Sequence, residues 1–299
     1  MGVRHAALAV VGLAAAFAVG ATACGVGGDA PNAAGLPPSF SLVSRGPAGG
    51  TMWAGIVPHR DVPDALRQSV VYLPPRVSRT RRLPVVYLLH GFRGSPFGYV
   101  NGLRFATIAD DAIRRGLVRP FIAVMPAAGP TVRYNGEWAG RWETLIVRDV
   151  VPWIDRTLPT LADRSDRAIA GDSAGGYGGV DIGLRHPRLF GTLESWSGYF
   201  TPIADGPLEH AAPATLRAHS PEALAEAKQR QIRQLGMRIY ASAGTHDREA
   251  LRATRRFGRE LARLRIAHRI VIRRGGHDGR FWRRQLPEAL AYALNPPPA

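Results

Sequence analysis

The chain has one cysteine and one lysine among its 299 residues. Cys24, having no partner, cannot form an internal disulfide, so a disulfide scaffold is excluded. With Lys228 as the sole lysine, a formal net charge of +16 is carried almost entirely by arginine, and only 23 acidic residues oppose 39 basic ones. That excess is not organised. The arginines are scattered over predicted helices and loops, with one small cluster at Arg76, Arg79, Arg81 and Arg82. No basic stripe with interleaved aromatics and no recognisable nucleic-acid module is present, so nucleic acid is not expected as a partner. There is no internal repeat either.

Long apolar runs are also missing, apart from one at the amino end. Residues 6–20 are apolar but too few for a comfortable membrane span. Arg4 precedes them, and Ala21-Thr22-Ala23 follows as an A-x-A cleavage site. Residues 1–23 therefore read as an export signal rather than as fold. Small residues directly before Cys24 also resemble a bacterial lipoprotein site, although Ala21 stands where leucine is usual. Both readings cut the same bond, and they differ in whether Cys24 is acylated. The unpaired exported cysteine favours the lipoprotein form, which would attach the protein to the membrane. Either way the mature protein is expected outside the cytoplasm, secreted or held in the cell envelope. Residues 24–50, rich in Gly, Pro, Ala and Ser, read as a flexible tether. The folded domain is expected over residues 51–295.

Within it, apolar runs suited to strands alternate with helical periodicity. Residues 51–57 and 68–73 read as two strands joined by a turn. Residues 83–89 (LPVVYLL) suit a strand buried on both faces. Further strands are expected at 120–125, 167–170, 191–195, 237–242 and 269–273. Trp142, Leu145, Ile146, Val150, Trp153 and Ile154 share one helical face, placing a helix over 141–158. Helices are also expected at 105–115, from 174 onward, between the last two strands and at 281–294. This alternation predicts an α/β fold, a mostly parallel sheet with helices on both faces, in a single domain. Residues 201–235 lack a strand and are polar and helix-prone, so they read as a small helical, cap-like insertion beside the site.

The chemistry centres on Gly171-Asp172-Ser173-Ala174-Gly175, a G-x-S-x-G between a buried strand and a helix. In a chain with 34 glycines the five letters alone say little. The strand–turn–helix context is what a nucleophile elbow requires. A serine hydroxyl needs a base to take its proton and a third group to orient that base. Downstream, the strand at 237–242 leads to Asp247, and the strand at 269–273 leads to His277. Strand ends place both at the sheet edge that carries Ser173, so Asp247 is the expected acid and His277 the expected base. Asp247 could instead merely cap the following helix, and Glu249 is the substitute acid. His246 reads as a solvated neighbour and Asp278 as a residue orienting its loop. An oxyanion needs two N–H donors. Ala174 follows the nucleophile, and Phe92 lies in the loop after the first buried strand, with Gly91 and Arg93 as alternatives one residue away. His90 is equally readable as a loop-orienting side chain. Trp138, Trp196 and Tyr199 are readable either as pocket-lining aromatics or as core.

Taken together these residues resemble the putative-esterase branch of the α/β hydrolases, which holds esterase D, feruloyl-esterase-like enzymes and the antigen 85 mycolyltransferases. The similar stretches are Tyr87-Leu-Leu-His-Gly-Phe92, Glu137-Trp-Ala-Gly140 before Trp142-Glu-Thr144, Val150-Val-Pro-Trp-Ile-Asp155, the elbow, Trp196-Ser-Gly-Tyr-Phe200, Gly244-Thr-His-Asp247, and Gly276-His277 with Phe281-Trp282. They run from about residue 50 to 294. The resemblance implies a Ser-Asp/Glu-His triad, no metal, no cofactor, and acyl transfer from a small-molecule or lipid ester to water or another alcohol. Arg93 aligns with the mycolyltransferase arginine that helps hold a sugar acceptor, which makes Arg93 an expected substrate contact; Trp138, on its pocket-lining reading, is the other. His90 in place of that loop's aspartate, and the ending Gly-Gly-His-Asp, favour a simple esterase over a mycolyltransferase. The expected function is an exported serine carboxylesterase. The alternatives are an acyltransferase with the same triad and a retired hydrolase scaffold that only binds.

Overall fold

Val85–Leu89 is five apolar residues with no exposed member, and the sheet is built outward from it. The computed structural model describes residues 34–60, 62, 68–129 and 137–295. The expected export signal, Cys24 and the first part of the expected tether lie outside the described residues. The elements begin with strands β1 (Ser41–Arg45), β2 (Thr51–Gly55) and β3 (Ser69–Leu73), then β4 (Val85–Leu89). Helix α1 (Phe105–Arg114) and β5 (Ile122–Met125) follow. A composite helix runs through α2 (Arg141–Thr144), a π-helical stretch (Leu145–Val150) and α3 (Val151–Thr157). Next come β6 (Arg167–Asp172), α4 (Ala174–Arg185) and β7 (Thr192–Trp196). After α5 (Pro213–Ala218) and α6 (Pro221–Gln234), the chain closes with β8 (Arg238–Gly244), α7 (Arg248–Arg263), β9 (Ala267–Arg273) and α8 (Gly279–Leu294).

These strands form one sheet in the order β1-β2-β3-β5-β4-β6-β7-β8-β9. The first three are antiparallel to their neighbours, and β5, β4, β6, β7, β8 and β9 run parallel. Alternate residues of β4 face opposite cores. Val85, Tyr87 and Leu89 join Trp142, Ile146, Ile154, Val180, Ile182, Phe257 and Leu261 on one side. Val86 and Leu88 join Phe105, Ala109, Leu286 and Leu290 on the other. Helices α1 and α8 thus cover one face, and α2 to α4, α6 and α7 cover the other. The parallel sheet covered on both faces is as the alternation predicts.

The tether expectation needs correcting at its second half. Ser41 pairs with Ala54 and Arg45 with Thr51, so β1 is the edge strand of the sheet. Phe40, just before it, is buried and stacks on Trp153 at 5.6 Å. Asp110 accepts hydrogen bonds from the backbone N–H of Ala48 (2.8 Å) and Gly50 (3.1 Å). An edge strand exposed along most of its length carries no apolar alternation. Backbone pairing holds it there.

Residues 201–235 are helical as expected, but they pack on the outer side of α4. Tyr177 donates to the His219 carbonyl (2.7 Å), and His219 Nδ1 meets the buried Asp181 carboxylate at 2.7 Å. Leu224, Ala225 and Ile232 of α6 enter the core beside α4. Lys228 of α6 donates its ammonium to the carbonyls of Leu184 (2.9 Å) and Arg185 (3.4 Å). A cation there satisfies orphan carbonyls and complements the negative end of a helix.

Candidate active site

Strand β6 ends at Asp172, and Ser173 turns the chain with φ 54° and ψ −120° before α4 begins. A positive φ is strained for a residue with a side chain, and such strain collects at functional turns. Backbone bonds hold it: Ser173 N donates to the Trp196 carbonyl (2.8 Å), and Tyr177 N donates to the Ser173 carbonyl (3.0 Å). The turn also needs Gly175, because a Cβ there would collide with the carbonyl oxygen of Leu89 on β4.

Strands β8 and β9 run parallel to β6 and end at the same sheet edge. The loop after β9 places His277 Nε2 2.9 Å from Ser173 Oγ. Its Nδ1 lies 2.7 Å from Asp247 Oδ2, contributed by the loop after β8. The Asp247 side chain is nearly buried, whereas the His277 side chain is 43% exposed and faces the cleft. Asp247 also caps α7, its Oδ1 accepting from Ala250 N at 3.3 Å. The helix cap and the imidazole contact are thus made at once, one oxygen each. Glu249 is exposed in the first turn of α7, and no hydrogen bond joins it to His277 among those described. Asp278 caps α8 through Phe281 N (2.9 Å), and His246 is exposed.

On the other side of Ser173, the loop from β4 closes on itself through Gly94 N to the Gly91 carbonyl (2.9 Å). Phe92 and Arg93 occupy its tip and are exposed, with the Arg93 guanidinium 5.3 Å from the Phe92 ring. Ala174 is the first residue of α4, so its N–H has no helical acceptor ahead of it. His90 is buried: its Nε2 accepts from Ala128 N (3.3 Å), which leaves Nδ1 to donate to the Gly91 carbonyl (3.0 Å). It orients the loop.

Asp172 belongs to this loop as much as to the elbow. It is buried, and it accepts from Gly91 N (3.1 Å) on one oxygen and from the Tyr99 hydroxyl (3.0 Å) on the other. Burial pushes its carboxyl up to about 6, against the lowering pull of those two bonds and of nearby His277. Tyr99 itself is raised by burial and by the adjacent Asp172.

The resulting cleft of about 350 Å³ is lined by Phe92, Arg93, Leu103, Ser173, His277 and Trp282 among others. Trp282 packs edge-on to His277 with ring centroids 5.3 Å apart, and its indole N–H donates to Ser197 Oγ (3.1 Å). A larger groove of about 1,120 Å³ between α5, α6 and α7 shares no residue with this cleft.

Two expectations are overturned by placement, Trp138 as a substrate contact and residues 201–235 beside the cleft. Trp138 does not line the cleft. It is 1% exposed, wedged against Gly178 of α4, and its indole N–H donates to the His90 carbonyl (2.9 Å). It props the β4 loop from behind. Trp196 is buried with its indole N–H on Glu194 (3.1 Å), and Tyr199 stacks on Tyr177 at 5.0 Å. Neither reaches the cleft lining, and none of residues 201–235 does. An aromatic side chain in a loop or at the end of a strand carries no mark in the sequence of which way it points. The sequence patterns do not pick out Asp172, Tyr99 or Trp282, which also line the cleft. Trp282 had a signal, since it lies five residues beyond His277 in the first turn of α8.

The profile of a family described as "Putative esterase" matches residues 64–293. An endo-1,4-beta-xylanase/feruloyl esterase of Xylanibacter ruminicola is 34% identical over 143 residues, 44% of this chain and 20% of that protein. A Mycobacterium tuberculosis protein named as an esterase is 32% identical over 123 residues, 40% of this chain and 26% of that one. The chain thus matches only a fifth to a quarter of these relatives' lengths. Among solved structures, a ferulic acid esterase superposes with a TM-score of 0.71 at 21% identity, covering 82% of this chain and 98% of that one. A fluorophosphonate-binding serine hydrolase of Staphylococcus aureus gives 0.67 at 18%, covering 84% and 100%. At these identities the likeness shows the fold, that of α/β hydrolases.

Proposed function

The chain belongs to the Putative esterase family, and from that premise we propose that it is an exported serine hydrolase of carboxylic esters working through an acyl-enzyme on Ser173. The observation that carries the reading is the continuous line Ser173 Oγ, His277 Nε2, His277 Nδ1, Asp247 Oδ2, with links of 2.9 and 2.7 Å. His277 takes the hydroxyl proton as Oγ attacks the ester carbonyl, and Asp247 steadies the imidazolium that forms. The carbonyl oxygen, now negative, is received by the N–H groups of Ala174 and Phe92. Collapse breaks the bond to the alcohol, which leaves with the proton from Nε2. A water then repeats the sequence on the acyl-enzyme, releasing the acid and restoring Ser173.

Acyl transfer to a sugar or lipid alcohol uses the same steps with that alcohol in place of water. Arg93, exposed at the rim of the cleft beside Phe92, favours keeping this second reading. Export and acylation at Cys24 remain part of the proposal on the strength of Ala21-Thr22-Ala23-Cys24. The intact mass of the amino-terminal peptide tests that part, because a diacylglyceryl group on Cys24 adds a lipid-sized increment and simple secretion adds none.

The first test is hydrolysis of p-nitrophenyl esters of increasing chain length, beside methyl ferulate because relatives carry the feruloyl esterase name. Turnover lost in Ser173→Ala supports the hydrolase. A folded wild type that turns over no ester but is labelled at Ser173 by a fluorophosphonate points to a dedicated transferase. Failure of both leaves a binding scaffold.

A further inference from the structure

Asp172 is buried, titratable and unused in the steps above, yet it touches both halves of the oxyanion site. It is the residue before the nucleophile, so its backbone belongs to the turn that presents Ser173 and Ala174 N–H. Its side chain reaches the other loop, accepting from Gly91 N at 3.1 Å, one residue before Phe92. The approach is close: a Cβ on Gly91 would lie 2.7 Å from Asp172 Oδ2. The second carboxyl oxygen meets Tyr99 Oη at 3.0 Å, on the π-helical stretch Gly98–Gly102 that follows the same loop. We propose that Asp172 is a positioning residue that ties the Gly91–Phe92 loop to the nucleophile turn and so fixes the separation of the two oxyanion donors.

A count of hydrogens sharpens this. Tyr99 Oη lies 2.9 Å from the Leu89 carbonyl and 3.0 Å from Asp172 Oδ1, and one phenolic proton serves one acceptor at a time. When Tyr99 donates to Asp172 Oδ1 the ionised carboxylate holds both donors, and when Tyr99 donates to the Leu89 carbonyl a carboxyl proton on Oδ1 completes the set. Oδ2 still accepts from Gly91. Burial, which raises this carboxyl to about 6, favours that protonated form below that pH. The tie can therefore also be made by a group with one donor and one acceptor side by side, and an amide supplies both. Asn in place of Asp172 can donate from Nδ2 to Tyr99 and accept from Gly91 on its oxygen. Ala can do neither.

The inference rests on the hydrolase reading for its consequence in rate, but not for its structural content, so two readouts are paired. In steady-state hydrolysis of a p-nitrophenyl ester, Asp172→Ala is expected to lower kcat about 100-fold with KM within about threefold, since donors displaced by an ångström lose that much. Asp172→Asn is expected to restore at least about tenfold of the loss, because the tie is rebuilt without a charge. Hydrogen exchange of the full-length protein is the second readout. The peptide covering residues 90–95 is expected to exchange faster in Asp172→Ala than in wild type, and Asp172→Asn to return it toward wild type. Unchanged exchange in Asp172→Ala overturns the proposal, as does an Asn variant as impaired as Ala in both measurements. A wild type inert toward every ester, with the exchange pattern as expected, removes the hydrolase reading and leaves the tie standing. Asp172→Leu separates lost bonds from lost volume: slower catalysis with native melting supports the tie, and wild-type kcat overturns it.

Discussion

Asp247 serves His277 and helix α7 with different oxygens: Oδ2 lies 2.7 Å from His277 Nδ1, and Oδ1 accepts from Ala250 N at 3.3 Å. One side chain therefore sets both the orientation of the imidazole and the start of a helix. Substitutions can separate the two. Asp247→Asn keeps a good cap but loses the negative acceptor, so kcat is expected to fall by about 10⁴ with little change in melting. Asp247→Ala is expected to match that loss and to cost about 1 kcal/mol of stability as well. Steady-state kinetics beside thermal unfolding checks both. Retained activity in either variant would pass the role to another acid, although Glu249 makes no hydrogen bond to His277 among those described.

Phe92 presents an apolar ring at 43% exposure on the wall of the cleft, next to the backbone N–H assigned to the oxyanion. Phe92→Ala removes the ring and keeps the N–H. The expected result is a KM raised about threefold to tenfold for apolar esters, with kcat within about threefold, from the loss of about 1 kcal/mol of apolar contact. A collapse of kcat with unchanged KM would mean that the ring positions the loop instead.

Gly175 crosses β4 where a Cβ would collide with the Leu89 carbonyl oxygen. Neither the strand nor the helix can step aside, because both belong to the core and the clash is with backbone. Gly175→Ala is expected to lower stability by more than about 3 kcal/mol or to prevent folding, although alanine is the better helix former. Soluble yield and a melting curve decide it.

Two buried carboxyls give stability a definite pH slope. Burial pushes Glu137 and Glu194 up from 4.5 to about 8 each. Between those values the folded state holds protons that the unfolded chain has released, so stability falls as pH rises from about 5 to 8. Each contributes at most about 1.4 kcal/mol per pH unit across that window. Glu137→Gln and Glu194→Gln are expected to flatten the slope, and urea unfolding at several pH values measures it. A slope unchanged in both variants would assign the pH dependence to other groups.

Much of this candidate site is legible in the sequence, for a physical reason. Strands such as 83–89 and 167–170 are buried on both faces, so their apolar runs announce them. In a parallel sheet the chain direction then dictates that Ser173, Asp247 and His277 emerge at one edge. What stayed hidden depends on which way a side chain turns. Trp138 looked like a pocket wall and is a prop behind His90. Strand β1 is held by backbone pairing at an exposed edge, so its side chains show no pattern. Asp172 stands inside the motif itself, and its contact with Gly91 is visible only in the fold.

The solitary lysine has a practical consequence. Lys228 grips the carboxyl end of α4, while Ser173 stands at the other end of that 12-residue helix, about 18 Å away at 1.5 Å per residue. Apart from the α-amino group of the chain, amine-directed coupling of the folded protein has a single side chain to reach, remote from the cleft. Molecules tethered to a support at Lys228 would share one orientation, with their clefts open to the solution.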